Sequence, residues 1–162
     1  MKIWIFNHYA LPPGASGGTR HYTLARYLQD SGHRVTIIAS GYNHWRRREE
    51  HLAAGESWRQ STVDGVSFIW LRTPPYGGNP GRMWNMAVYG LRAWRGSWLS
   101  AIGERPDVIL GSSPHLFAAL AAQLACCFRV PFLLEIRDIW PQILVDLAVC
   151  LPFTRLSVCL PA

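Results

Sequence analysis

Apolar residues in this chain gather in short runs, and the segments between several of these runs carry apolar positions three and four apart. Runs of the first kind read as buried strands and segments of the second as helices. Lys2 to Phe6 is the first strand, and Asn7, His8 and Tyr9 leave its carboxyl end. A glycine- and proline-rich loop follows, and a helix is predicted from about Thr19 to Gln29, with Leu24 and Leu28 covering one sheet face. Gly32 stops it, and Arg34 to Ala39 is a second strand, β-branched and almost fully apolar. Gly41 to Asp64 is polar and reads as irregular, its Arg46 to Glu50 charge run as a solvated loop or helix face. Gly65 to Leu71 is a third strand after an Asp-Gly turn, and Pro74 to Gly81 is a loop.

From Arg82 to Ile102 the spacing of Met83, Met86, Ala87, Gly90, Leu91, Trp94 and Trp98 predicts a second helix. Val108 to Leu110 is a fourth strand, Ser113 with Pro114 starts a third helix striped by Leu116, Leu120, Leu124 and Cys127, and Val130 to Glu135 is a fifth strand. Strand alternates with helix throughout. The expected fold is α/β, a doubly wound parallel sheet in one domain spanning residues 1–162.

Composition adds few constraints. With 49% hydrophobic and 16% charged residues the chain is ordinary for a globular protein. It is basic, +6 at neutral pH, which suits nucleic acid, an anionic membrane or an anionic substrate. Eight tryptophans tilt that choice toward an interfacial or sugar-handling surface, and nucleic acid is not an expected partner. The four cysteines sit in apolar surroundings without a Cys-x-x-Cys pair, the mark of buried reduced thiols. No signal peptide opens the chain and no run reaches the roughly 20 apolar residues of a membrane span. The expectation is a cytoplasmic protein, peripheral at the inner face of the plasma membrane.

Ligands of open α/β sheets bind outside the carboxyl ends of the strands. Three groups of residues fall there. Gly17 and Gly18, with Thr19, precede the first helix, where glycines let a phosphate approach the backbone; equally, they form a tight turn. They fit neither G-x-G-x-x-G nor the P-loop pattern. Glu135, Arg137 and Asp138 end the fifth strand, as ligand contacts or as an ion pair stiffening a loop. Ser112, Ser113 and His115 follow the fourth, His115 as a ligand contact or a capping residue, and His8 emerges from the first. The histidines lack metal-binding spacing, so no metal is expected. On the second helix Arg82, Arg92 and Arg95 accompany Trp84, Trp94 and Trp98, a set that suits shallow docking on anionic lipid and suits packing against the sheet equally well.

Together these segments resemble a family. Ile3 to Tyr9 followed by Pro12-Pro13-Gly14 and Gly17 to Arg20, then Gly32-His33-Arg34-Val35, and above all Glu135-Ile136-Arg137-Asp138-Ile139-Trp140-Pro141, are similar to the N-terminal half of bacterial family 4 glycosyltransferases that build O-antigen, capsule and other surface polysaccharides. The resemblance implies a Rossmann-like acceptor-binding half of a GT-B fold, transferring sugar from a nucleotide sugar, such as a UDP-sugar, with retention and without a metal. It places the donor diphosphate at Gly17, Gly18 and Thr19, catalytic roles on Asp138 and Arg137, and acceptor contacts on His8, Ser112, Ser113, His115 and Glu135. The implied acceptor is a polyprenyl-diphosphate-linked sugar. A family member also needs a donor-binding domain with Glu-x7-Glu, and no two glutamates here lie eight apart. The chain therefore reads as a truncated half-enzyme whose C-terminal domain would come from a separate chain. The alternative reading is a non-catalytic module that docks a membrane or a partner protein.

Overall fold

The structure is a computed structural model and describes residues 1–14, 17–95, 103–113 and 125–137. Its elements run β1 (Lys2–Phe6), α1 (Arg20–Asp30), β2 (Arg34–Ser40), β3 (Tyr42–Asn43), β4 (Arg48–Glu49), β5 (Trp58–Val63), β6 (Val66–Leu71), α2 (Asn79–Arg95), β7 (Val108–Ser112) and β8 (Phe132–Glu135). Strands β6, β2, β1, β7 and β8 lie side by side and parallel, with β5 antiparallel on the outer edge of β6.

Side chains alternate across this sheet because successive residues of a strand face opposite ways. Ile3, Ile5, Val35, Ile37, Ala39, Val66 and Phe68 pack on the side of Ala25 from α1. Trp4, Phe6, Ile38, Ile69, Leu71 and Ile109 pack on the side of Tyr89 and Ala93 from α2. With both faces covered, the inner strands can be apolar at every position, which is why they read as continuous hydrophobic runs. The arrangement is the expected doubly wound α/β, Rossmann-like fold.

Several expectations are corrected. The buried stripe of α1 is His21 and Ala25, continued by half-buried Leu28, while Leu24 sits at its exposed edge. The neighbouring stripe binds the β5–β6 turn: Tyr22 Oη donates to Asp64 Oδ2 at 2.8 Å, Gln29 Nε2 to the Gly65 carbonyl at 2.8 Å, and the Arg26 guanidinium to the Asp64 carbonyl. That turn was legible; the strand before it was not. Gly41 to Asp64 holds β3, β4 and the six-residue β5, whose Arg59 and Gln60 are exposed and whose polarity hid it. Asp64 and Gly65 both have positive φ, the two-residue hairpin geometry that Asp-Gly favours. The fifth parallel strand starts at Phe132 rather than Val130, and Cys127 is exposed rather than buried. The third helix, most of the stripe expected on it, and Cys150 and Cys159 lie outside the described residues, as does the side chain of Cys126.

The buried face of α2 is turned relative to the periodicity reading, with Met86 common to both. Asn85, Met86, Tyr89 and Ala93 are buried, whereas Met83, Trp84, Leu91 and Trp94 are exposed. Asn85 lies on the buried face: its Nδ2 donates to Thr73 Oγ1 at 2.9 Å and to the Pro74 carbonyl at 2.6 Å, and Thr73 in turn meets Ser40 Oγ at 2.7 Å. Only the donor half of this amide is bonded: the buried Asn85 Oδ1 has no hydrogen-bond partner among the described residues. Tyr89 Oη completes the anchor by donating to the Ile38 carbonyl at 2.7 Å.

Ile37 is fully buried at the centre of the sheet, between Ile5 and Phe68 in the register. Ile37→Ala should cost about 2–5 kcal/mol of stability and Ile37→Val about 0.5–1.5 kcal/mol, read from urea unfolding midpoints. Equal costs for the two variants would mean that this position is not close-packed.

Candidate functional site

All five parallel strands deliver their carboxyl ends to one edge, and there the chain turns polar. β1 runs on into Asn7, His8 and Tyr9: the Asn7 amide donates to the Ile38 carbonyl and the Ser40 amide to the His8 carbonyl, both at 3.1 Å. Asn7 Oδ1 accepts from the Tyr9 amide at 2.9 Å, which bends the chain, and its buried Nδ2 has no hydrogen-bond partner among the described residues. His8 is 2% exposed, its ring stacked between Tyr9 at 4.5 Å and Tyr89 at 4.6 Å. Both faces of the ring are therefore covered by tyrosine.

Glu135, the last residue of β8, is the hub of one half of the edge. Its Oε2 accepts from Ser112 Oγ at 2.7 Å and meets His21 Nε2 at 2.9 Å, and its Oε1 meets the Arg20 guanidinium at 2.5 Å. Ser112 and His21 are fully buried, while Arg20 is largely exposed. The backbone joins in: the Ser113 amide donates to the Glu135 carbonyl at 2.9 Å, and the Arg137 amide to Ser113 Oγ at 2.8 Å. One carboxylate thereby ties β7, β8 and the first turn of α1 together.

Burial is the largest influence on both titrating partners. It lowers the His21 pKa; the Glu135 bond opposes it without prevailing, and the charges of Arg137 and Arg20 add to the fall. Burial raises that of Glu135, but the bonds from Ser112 and His21 and the charges of His21 and Arg20 outweigh it and hold the carboxyl below its usual range. Both shifts describe one state at neutral pH: an ionised carboxylate accepting an N–H from a neutral imidazole.

The glycine loop is shaped first by the protein itself. Gly17 has φ +119° and lies under the Trp45 indole, and a Cβ on Gly18 would collide with the Tyr9 carbonyl. The loop closes through the Gly18 carbonyl, which accepts from the Leu11 amide at 3.2 Å, and Thr19 caps α1 without a side-chain bond. Gly18 is therefore glycine because the β1 exit packs against it, whether or not a ligand approaches the exposed Gly17.

The other half of the edge is aromatic and cationic. Arg82 Nε donates to Tyr9 Oη at 3.2 Å, and the His44 Nδ1 contacts the Tyr76 hydroxyl, with Tyr42 against Tyr76 at 5.4 Å. His44, Arg47, Tyr76, Gly77, Gly78, Asn79 and Arg82 line a cavity of about 180 Å³. A larger hollow of about 300 Å³ lies at the opposite, amino ends of the strands. There Glu104 already neutralises Lys2 at 3.2 Å and Arg34 at 3.1 Å, so that hollow is not where unmatched charge sits.

The structure thus joins Glu135, Ser112, Ser113 and Arg137 with Arg20 and His21, beside Gly18 and Thr19. His115, Asp138 and Trp98 lie outside the described residues. Ser112 Oγ lies within hydrogen-bonding distance of Glu135 and of the Ser113 carbonyl, and both Ser112 and His8 are buried. Of the tryptophan–arginine set, Trp84, Trp94 and Arg95 are exposed; Arg82 turns back to Tyr9 and Arg92 to the Ser57 carbonyl at 3.0 Å, which removes both from a freely exposed face. His21, His44 and Tyr76 went unnoticed. A histidine in the first turn after a glycine loop is the signal that could have flagged His21. No described group of three or more His, Cys, Asp or Glu could hold a metal ion. No described helix is long and apolar enough to cross a membrane.

Residues 17–156 match the sequence profile of the glycosyl transferase 4-like domain, which covers the glycine loop, the cationic cavity and the Glu135 cluster. Among curated proteins none matches the chain.

Acid should weaken the fold, and His21 should carry part of the loss. Unfolded, its imidazole takes up a proton near its ordinary 6.5; folded, it does so only at lower pH. The unfolded chain therefore binds more protons in that window, so stability is complete above it and falls as pH drops through it. His44 and His51, also lowered by burial, have the same sign, and Glu135 extends the loss below its ordinary 4.5. Urea midpoints at pH 7.5 and 5.5 should differ in the native protein and differ less in His21→Gln. An unchanged difference in the variant would show that His21 does not titrate as a buried neutral ring.

Proposed function

We propose that this chain, which belongs to the glycosyl transferase 4-like family, supplies the acceptor-binding half of a retaining glycosyltransferase that extends a lipid-linked surface polysaccharide. Glycosyl transfer follows from the family. The observation that carries the acceptor assignment is the convergence of Glu135, Arg20, His21 and Arg137 at the carboxyl edge of the sheet, beside the glycine loop. Open α/β sheets bind their ligands at that edge.

In this reading an acceptor hydroxyl forms a bond to the anomeric carbon of a nucleotide sugar such as a UDP-sugar. The bond from that carbon to the diphosphate breaks, and the acceptor proton passes to the departing diphosphate, so no metal is called on. Gly17, Gly18 and Thr19 border the diphosphate, while Arg137 and Asp138 line the acceptor side, Asp138 orienting the acceptor hydroxyl. Glu135 acts one step back: it holds the first turn of α1, and with it the loop, against the strand that carries Arg137. The nucleotide is bound mainly by a second, donor-binding domain.

The acceptor's lipid nature is supported by α2. Trp84 is 63% and Trp94 57% exposed, Leu91 and Met83 share their surface, and the helix contains no acidic residue. Tryptophan at a helix surface favours the headgroup layer, and Arg95 adds attraction to anionic lipid. The protein then works peripherally at the inner face of the plasma membrane.

Two measurements test this reading. Joined to a donor-binding domain of the same family, the chain should transfer sugar to a polyprenyl-diphosphate-linked acceptor, and Asp138→Asn should retain more activity than Glu135→Ala, because losing Glu135 releases the loop as a unit. The reverse order, in proteins with native circular dichroism, would move the weight to Asp138. Separately, the chain should float with vesicles rich in phosphatidylglycerol, and Trp84→Ser with Trp94→Ser should remove most of that binding. Unchanged flotation would make the α2 face a protein contact instead.

A further inference from the structure

Charge at the carboxyl edge is unevenly matched. Arg46 and Arg48 both reach Glu50, at 3.2 and 2.9 Å, and Arg59 reaches Glu56 at 2.8 Å. Arg47 and Arg82 meet no carboxylate among the described residues, yet they share the walls of the 180 Å³ cavity with His44. No acidic side chain lines it. The two guanidiniums are close enough that each lowers the pKa of His44, after burial, which acts most strongly.

The backbone supports this concentration of charge at some cost. Arg47 holds φ +53°, a left-handed conformation unfavourable for a side chain of its kind, at the tip of the β3–β4 hairpin. Asn43 Oδ1 fixes the tip by accepting from the amides of Trp45 at 2.9 Å and Arg46 at 3.0 Å. Arg82 is oriented by Tyr9, whose ring it also overlies at 5.8 Å. The opposite wall is Gly77 and Gly78, where a Cβ on Gly77 would meet nothing within 4 Å, so that side is open.

We infer that this cavity is an anion site for a diphosphate group, separate from the glycine loop and divided from it by Tyr9. Two guanidiniums with no carboxylate partner among the described residues, each with several N–H donors, match the multiple oxygens of a phosphate chain. The volume falls below the roughly 300–1,000 Å³ that encloses a drug-sized ligand, so it suits a charged headgroup whose remainder lies outside. From the cavity wall at Asn79, α2 leads on to the exposed Trp84, Leu91 and Trp94, a surface fit for a hydrocarbon chain attached to that headgroup. A diphosphate can come from a lipid-linked acceptor or from a nucleotide. Only the choice of the first rests on the proposed function; the anion site itself does not.

Calorimetric titration of the whole chain at low salt tests it, using inorganic pyrophosphate, UDP and a water-soluble short prenyl diphosphate as separate probes. Pyrophosphate should bind, and Arg47→Gln and Arg82→Gln should each weaken it about tenfold or more, the loss expected for one charge-assisted contact. Arg59→Gln, whose charge is already matched by Glu56, should leave binding unchanged. Tighter binding of the prenyl diphosphate than of pyrophosphate would assign the site to the lipid acceptor, and tighter binding of UDP to the nucleotide. If Arg82→Gln disturbs folding through Tyr9, the exposed Arg47→Gln decides alone. No heat with any probe, or binding indifferent to Arg47→Gln, overturns the inference. Since no sugar transfer is measured, a failed transferase assay leaves this result standing.

Discussion

Every polar feature of this protein is confined by the two-sided burial of its parallel sheet. Because α1 covers one face and α2 the other, a strand residue of either parity meets hydrocarbon, and an unpaired polar group on the inner strands would cost about 1–3 kcal/mol, a large share of a marginal stability. Polar chemistry is displaced to the strand ends. Parallel pairing then gathers all the carboxyl ends on one edge, so residues far apart in sequence become neighbours there.

Within that edge the Glu135 carboxylate is the joint on which the site's shape depends. Its contact with the exposed Arg20 is worth about 0–1 kcal/mol, as surface pairs are. The bonds from buried Ser112 and His21 are worth about 1.5–3 kcal/mol each, because donor and acceptor are withdrawn from water and one is charged. The buried pair therefore sets the geometry, and Arg20 is left with capacity to spare. This division matters for function. The loop is continuous with α1, and Glu135 ties α1 to β8, two residues before Arg137.

The second half of the edge is built by a different means. Aromatic rings from β1, the β3–β4 hairpin and the loop before α2 surround the arginines, and Asn85 holds the helix beneath them. Turning Asn85 inward turns Trp84 and Trp94 outward. The exposed aromatic face and the cationic cavity lie at the flank and the start of the same helix.

What the sequence determined by itself was whatever depends on local spacing and on burial along one element. The apolar runs at Lys2 to Phe6, Arg34 to Ala39, Gly65 to Leu71 and Val108 to Leu110 could only be buried strands, and their alternation with helices dictated the doubly wound fold. The Asp-Gly turn and the edge where Glu135 and Ser112 emerge were legible for the same reason. The tertiary structure alone decided the pairings between distant residues: His21 with Glu135, Arg82 with Tyr9, and the edge strand Trp58–Val63, which needs only one buried side and so lacks an apolar run. It also decided which face of α2 is buried. Periodicity counts apolar residues, whereas the buried face of α2 also carries Asn85, which donates to Thr73 and the Pro74 carbonyl, and Tyr89, which donates to the Ile38 carbonyl, and only the folded chain supplies those acceptors.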